Sequence, residues 1–187
     1  MLDFSKVKAE RLSKIYDVSR FDCGDDDLND FIKNDAFVYQ EKKLATTTLF
    51  FYEEKLIGFF SVAADSLKLN FDEKENYGIH QKKLEDIPSI KLARLAVDKN
   101  YQKQGVGTNI LKWCIGYILD CSEMVAIRFI TVDAYPEKVN FYRNFIVNQN
   151  RHYTKKTNHI SMRYDLLNKE FTSPSQNIKP EALLMKL

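Results

Sequence analysis

The chain has 187 residues and a mass of 21.9 kDa, room for one domain of ordinary size and a short extension. Hydrophobic residues make up 44% and aromatics 13%, which is enough for a sizeable core and excludes a wholly disordered chain. The net charge of +2 conceals an asymmetry: the first ninety residues carry 13 basic and 18 acidic side chains, and the remaining 97 carry 15 and 8, so the second half is suited to an anionic ligand unless the charges merely cluster on solvated faces.

The apolar runs fall far short of the roughly 18 residues that cross a bilayer. The N-terminal stretch lacks the continuous apolar segment and small-residue cleavage site of a signal peptide. Cys23, Cys114 and Cys121 form no CxxC, and His80, His152 and His159 sit in no ligand spacing. The expectation is a cytoplasmic chain without disulfides or a metal site.

In chain order, residues 8–16 read as a first strand. Phe21-Asp22-Cys23-Gly24 reads as a turn, and Asp25-Asp26-Asp27 supplies acidic residues to the start of a helix over 26–42. Residues 45–52 and 56–64 are β-branched and aromatic runs about a polar Glu53-Glu54-Lys55 turn, the signature of an antiparallel pair. Residues 70–86 are a polar excursion, a loop or a short helix. Ile90–Val97 reads as a strand in which Lys91 and Arg94, three apart, share a face only if a bulge intervenes near Ala93. Residues 105–121 read as a mostly buried helix with one narrow polar stripe. Ala126–Val132 is apolar on both faces, as a central strand should be. Pro136 opens a short helix over 136–145. His152–Lys156 and His159–Leu166 read as a closing hairpin, and 168–187 as a polar tail after a single domain of residues 1–167. The mixed order of strands and helices predicts an α/β fold with both parallel and antiparallel pairs.

Chemistry concentrates in Leu95-Ala96-Val97-Asp98-Lys99-Asn100-Tyr101-Gln102-Lys103-Gln104-Gly105-Val106-Gly107-Thr108. Here a strand passes through a turn with two glycines into a helix. Glycine lets backbone N–H groups approach a ligand, and the first N–H groups of a helix attract anions, phosphate above all. Lys99 and Lys103 add positive charge at the same mouth. A P-loop is excluded because Thr108-Asn109 follows Gly107, and a dinucleotide fingerprint because Ile110 stands where a small residue is required. Gly-x-Gly alone also fits a plain strand-to-helix turn.

Leu95-Ala96-Val97-Asp98 followed by Gln102-x-x-Gly105-x-Gly107 resembles the acetyl-CoA pyrophosphate loop of the GNAT N-acetyltransferases. The resemblance covers roughly residues 8–167. It implies a mixed central sheet of about six to seven strands flanked by helices, with a bulged strand before the loop. It implies acetyl-CoA as co-substrate on Leu95, Ala96, Val97, Gln102, Lys103, Gln104, Gly105, Val106, Gly107 and Thr108, and no metal. Val132-Asp133-Ala134-Tyr135 followed by Asn140-Phe141-Tyr142 resembles the strand and helix whose Tyr serves the family as general acid, which implies that role for Tyr142. A phenol of pKa near 10 can protonate a departing thiolate. On a helix Phe141 and Phe145 share one face and Tyr142 points away from it. Many members continue toward Gly-Phe after this pair; here Arg143-Asn144-Phe145 follows, so the next turn differs.

Phe21-Asp22-Cys23-Gly24 with Leu28-Asn29-Asp30-Phe31, together with Ala93–Asp98, resembles the subgroup that contains toxin-type GNATs. Those enzymes acetylate aminoacyl-tRNA and are neutralised by small ribbon-helix-helix antitoxins. The expected activity is direct acetyl transfer to a primary amine. Aminoacyl-tRNA is the alternative acceptor, with Lys91, Arg94, Lys99 and Arg143 as phosphate contacts, though the acidic first half suits a polyanion poorly. An inactive CoA-binding interaction module is the alternative from another class, and a homodimer is an assembly the resemblance admits. Asp65, Glu85 and Asp98 are candidate bases. An α-amine, with pKa near 8, is partly neutral at pH 7–8 without one.

Overall fold

A computed structural model describes residues 2–80, 83–144, 148–149 and 158–168. Among them β1 (Lys8–Arg11) is shorter than the strand expected over 8–16. Its ladder ends when Leu12 N–H bonds the Thr47 carbonyl at 2.9 Å, and a turn closed from Tyr16 to Ser13 follows. The helix expected over 26–42 is present in three pieces. These are α1 (Asp26–Asp30), a π-helical stretch (Phe31–Asp35) and α2 (Ala36–Glu41). Asp25 caps α1 by accepting from Leu28 N–H at 3.0 Å. The wider π turn inserts a residue while Phe31, Ile32 and Ala36 stay buried.

β2 (Thr46–Tyr52) and β3 (Lys55–Lys68) pair antiparallel from Thr46↔Val62 to Tyr52↔Lys55. Glu53 and Glu54 join them with φ of 49° and 62°, the two left-handed residues a tight hairpin needs. The excursion after β3 contains α3 (Phe71–Asn76), started by a capping box in which Asn70 and Glu73 satisfy each other's backbone N–H groups. β4 (Asp86–Val97), α4 (Val106–Ser122) and β5 (Phe129–Ala134) follow, with β4 and β5 parallel from Ser89↔Phe129 to Lys91↔Thr131. A parallel pair requires such a crossover helix. β5 begins three residues later than the expected Ala126, because α4 ends in a turn that leaves Met124 and Val125 exposed.

Pro136 opens a 3-10 turn (Pro136–Lys138) that runs into α5 (Val139–Arg143). β6 (Asn148–Gln149) and β7 (Ile160–Asp165) pair antiparallel, and β7 also pairs with β5. The expected arm His152–Lys156, Phe145, and all of the tail but Asn168 lie outside the described residues. The seven strands form one mixed sheet in the order β1-β2-β3-β4-β5-β7-β6, as the α/β expectation required.

The described residues divide into two compact units whose boundaries fall within β3, β4 and α4: residues 2–63 and 92–120, and residues 64–80, 83–91, 121–144, 148–149 and 158–168. The first has a core of Leu12, Phe21, Phe31, Ile32, Ala36, Leu49, Phe59 and Ala96. Phe50, Phe60, Trp113 and Tyr117 add a set of aromatic contacts, with ring centroids 5.4 Å apart for Phe50–Trp113 and 5.6 Å for Trp113–Tyr117. The second packs Tyr77 against Leu67, Leu69, Ile79, Ile87 and Phe129.

Candidate active site

The buried positions of β4 are Ile87, Ser89, Leu92 and Ala96, and the step of three from Ser89 to Leu92 breaks the alternation of a regular strand. A bulge between Ser89 and Leu92, ahead of Ala93, would produce that phase change. Lys91 and Arg94 have separate engagements. The Lys91 ammonium pairs with Asp133, while the Arg94 guanidinium lies 4.7 Å over the Phe31 ring.

Beyond Val97 the chain leaves the sheet under close constraint. Asp98 N–H donates to the Ile57 carbonyl at 3.0 Å. One residue on, a Cβ at Gly58 would lie 2.6 Å from Ile110 Cδ1 and 2.8 Å from the Ala96 carbonyl, so only glycine lets β3, the end of β4 and α4 meet. Asp98, itself buried, caps the 3-10 turn Lys99–Tyr101 by accepting from Asn100 N–H at 3.0 Å, and also accepts from Asn100 Nδ2 and Asp22 N–H. This carboxylate is occupied in holding the turn, which removes it from the candidate bases.

The chain then makes two left-handed residues, Lys103 at φ 58° and Gly105 at φ 80°. α4 follows, its Asn109 N–H bonding back to the Gly105 carbonyl at 3.1 Å. The N–H groups ahead of Asn109 therefore have no intrahelical acceptor, and the dipole of a 17-residue helix adds partial positive charge to them. A Cβ at Gly105 would meet nothing within 4 Å, so the mouth of the loop is open at that residue.

Two side chains assigned to that mouth from sequence face elsewhere. Gln102 Nε2 donates to the Cys23 and Val97 carbonyls at 2.8 and 2.9 Å, leaving only its backbone for a ligand. Lys99 Nζ donates to Asp22 Oδ2 at 2.6 Å, so its charge is already paired. That contact, with donation from Gly24 N–H and Asn29 Nδ2, holds the Asp22 carboxyl well below the usual carboxylate range, and Lys99 is raised in turn.

In the second unit Tyr142 lies on α5 with 9% of its surface exposed, its ring 4.9 Å from that of Phe141 in an edge-on arrangement. Tyr142 is the more buried of the two. Asp65 accepts from the buried Thr131 hydroxyl, and Glu85 is exposed. Arg143 is exposed as well. Among the described residues no cluster of His, Cys, Asp and Glu could hold a metal ion, and no helix is long and apolar enough to cross a membrane.

Residues 18–166 match the family described as "Acetyltransferase (GNAT) domain". The chain belongs to the GNAT acetyltransferases. It is thus an acyltransferase, as the loop motif implied. A relative from Mycobacterium tuberculosis (strain ATCC 25618 / H37Rv), the "tRNA-acetylating toxin", is 26% identical over 137 residues, which is 72% of this chain and 80% of that protein. Two solved GNAT-like structures share the fold. One is a tyrosine-to-phenylalanine mutant of the toxin AtaT bound to the C-terminus of the antitoxin AtaR and acetyl-CoA (TM-score 0.67, 21% identity, 86% of this chain and 94% of that one). The other is AtaT complexed with acetyl-methionyl-tRNAfMet (TM-score 0.69, 23% identity, 85% and 94%).

The stretch Phe21–Phe31, read in the sequence as a turn, a helix start and a subgroup likeness, also contacts the segment leading into the glycine loop. The signal was an Asp-x-Gly turn with an Asn seven residues after the Asp, a pattern able to build an Asx turn. Nothing local showed that it grips residues 98–102.

Proposed function

We propose that this GNAT enzyme transfers the acetyl group of acetyl-CoA to the α-amine of an aminoacyl-tRNA by direct attack. The observation that carries the donor half is the open loop at Gly105 ahead of α4, whose backbone N–H groups lack intrahelical partners. Its donors suit a pyrophosphate, and there is open space around a Cβ placed at Gly105. The backbone of Leu95–Val97 and of Gln102–Thr108 would hold the co-substrate, which supplies a thioester activated for acyl transfer. Lys103 is the lysine of the loop whose charge remains for phosphate, since Lys99 is paired with Asp22.

Tyr142 donates its phenolic proton to the departing thiolate in this reading, and the acceptor amine loses a proton to water. No carboxylate is required for that, because an α-amine is partly neutral near pH 8. The acceptor half draws support from what the relative and the AtaT complex are named for. An antitoxin-type protein partner has the same support. A single catalytic region over residues 1–167 acting in the cytoplasm completes the proposal. The charge of the second half, formerly an argument for any anion, is accounted for by CoA phosphates first.

Incubation with labelled acetyl-CoA and separate pools of charged tRNA, polyamines and peptides tests the acceptor. Label in the charged tRNA pool is expected, and label only in polyamine or peptide would replace that acceptor with a simple amine. Tyr142→Phe should lower turnover by about 10²–10⁴ while CoA still binds. Unchanged turnover would remove Tyr142 from the mechanism.

A further inference from the structure

The loop that offers its N–H groups to a ligand cannot use those same groups to fix its own shape. Something else must hold it, and the contacts on residues 98–104 show what does. Asp22 meets Lys99 twice, accepting from the ammonium at 2.6 Å through its carboxylate and from the backbone N–H at 2.8 Å through its carbonyl. Cys23 offers its carbonyl to Gln102, and Asp22 N–H donates to Asp98. The turn carrying these groups is itself closed. Gly24, at φ 78°, donates its N–H to Asp22 Oδ1 at 2.9 Å, Asn29 Nδ2 donates to the same oxygen at 3.0 Å, and Cys23 N–H donates to Asn29 Oδ1 at 2.9 Å. Asn29 stands on α1, whose neighbour Phe31 is buried in the first unit's core. The chain of contacts thus runs from a packed helix, through a closed turn, to the segment that leads into the glycine loop.

We infer that Asp22 is a positioning residue for acetyl-CoA: with Asn29 and Lys99 it clamps residues 98–102, so the loop N–H groups are aimed before the ligand arrives. The inference rests on the loop being the acetyl-CoA site. Preorganisation of this kind tightens binding by removing the cost of ordering the loop. It acts on the bound ground state and the transition state alike, so it moves KM for the donor and leaves kcat at saturation alone. Lys99, in this account, reaches the ligand only through the loop's shape. A Lys99 that served as a direct phosphate ligand would instead be in competition between Asp22 and the CoA phosphates, and freeing it would strengthen binding.

The test is acetyl-CoA affinity by calorimetry, with steady-state kinetics, for wild type, Asp22→Asn, Lys99→Met and the double variant. Lys99 has an exposed side chain, so its replacement keeps the test alive if Asp22→Asn folds poorly. Each single variant should weaken acetyl-CoA binding about tenfold, and the double variant should be no weaker than either, the signature of one shared interaction. KM for acetyl-CoA should rise by the same factor, with kcat and the acceptor KM unchanged. Wild-type binding with no loss in either variant would overturn the clamp while leaving the site reading intact. Tighter binding in Asp22→Asn would overturn it too and make Lys99 a ligand. Failure of wild type to bind acetyl-CoA would overturn the site reading and the clamp together.

Discussion

Two ion pairs, Asp22–Lys99 in the first compact unit and Glu73–Arg163 in the second, have opposite settings. Asp22 and Lys99 keep 39% and 59% of their side-chain surface in water. Glu73 and Arg163 keep 7% and 6%. The buried pair belongs to a dense group. Arg163 Nε donates to the Tyr77 hydroxyl at 3.1 Å, and Arg128 makes a forked pair with Asp165 at 2.7 and 3.0 Å while donating to the Tyr77 carbonyl. Glu73 meanwhile completes the cap of α3 by accepting from Asn70 N–H. An exposed pair exchanges readily with water and adds little to global stability. A buried one is expensive to break because the partner left behind is a charge without solvent. The contrast separates two tasks: the Glu73–Arg163 group fastens an excursion to its unit, and the Asp22–Lys99 pair sets the local shape of a loop that must meet a ligand.

The largest effect should come from the buried side. Glu73→Gln takes a charged partner from the buried Arg163 and weakens the α3 cap, and should cost about 3–5 kcal/mol in denaturant unfolding. A loss similar to that of an exposed pair would show that Arg163 does not depend on Glu73 and erase the contrast. Gly58→Ala, at the close approach beneath the loop, should cost about 1–3 kcal/mol, since the Ala96 carbonyl is backbone and cannot swing aside. A neutral result would mean that β3 and the end of β4 separate easily. The smallest effect is the titration of Asp22. Its folded pKa is depressed, chiefly by Lys99, so the stabilisation is complete above the unfolded value near 3.9 and disappears as pH falls through the folded value. The carboxyl carbon shift of Asp22 should therefore begin to move only below the range of an ordinary Asp. A midpoint near 3.9 would mean that the clamp does not persist in solution.

The glycine loop was legible because its chemistry is local. A strand, two glycines and a helix stand consecutively, and each residue's conformational role follows from its neighbours. The start of α1 at the acidic run Asp25–Asp27 was legible for the same reason. The clamp was not, because Asp22 and Lys99 are 77 positions apart and neither has a local reason to seek the other. The same holds for Glu73 and Arg163, 90 apart. The partners of the Gln102 and Lys99 side chains were not legible either, since a loop side chain is oriented by the carbonyls and carboxylates that tertiary structure brings to it. The π-helical stretch at Phe31–Asp35 was invisible because the pattern of buried residues across it still fits an α-helix within one position.

The central claim is that the loop before α4 holds acetyl-CoA, and Gly105→Asp tests it most directly. Asp tolerates a left-handed backbone better than most residues, and the structure leaves open space around a Cβ there. The variant should therefore fold, while placing a carboxylate where the pyrophosphate belongs. Calorimetric titration with acetyl-CoA should give saturable binding to the wild type and none to Gly105→Asp, which should still unfold cooperatively at a melting temperature lowered only by the strain of a side chain at φ 80°. Equal binding to both would contradict the account.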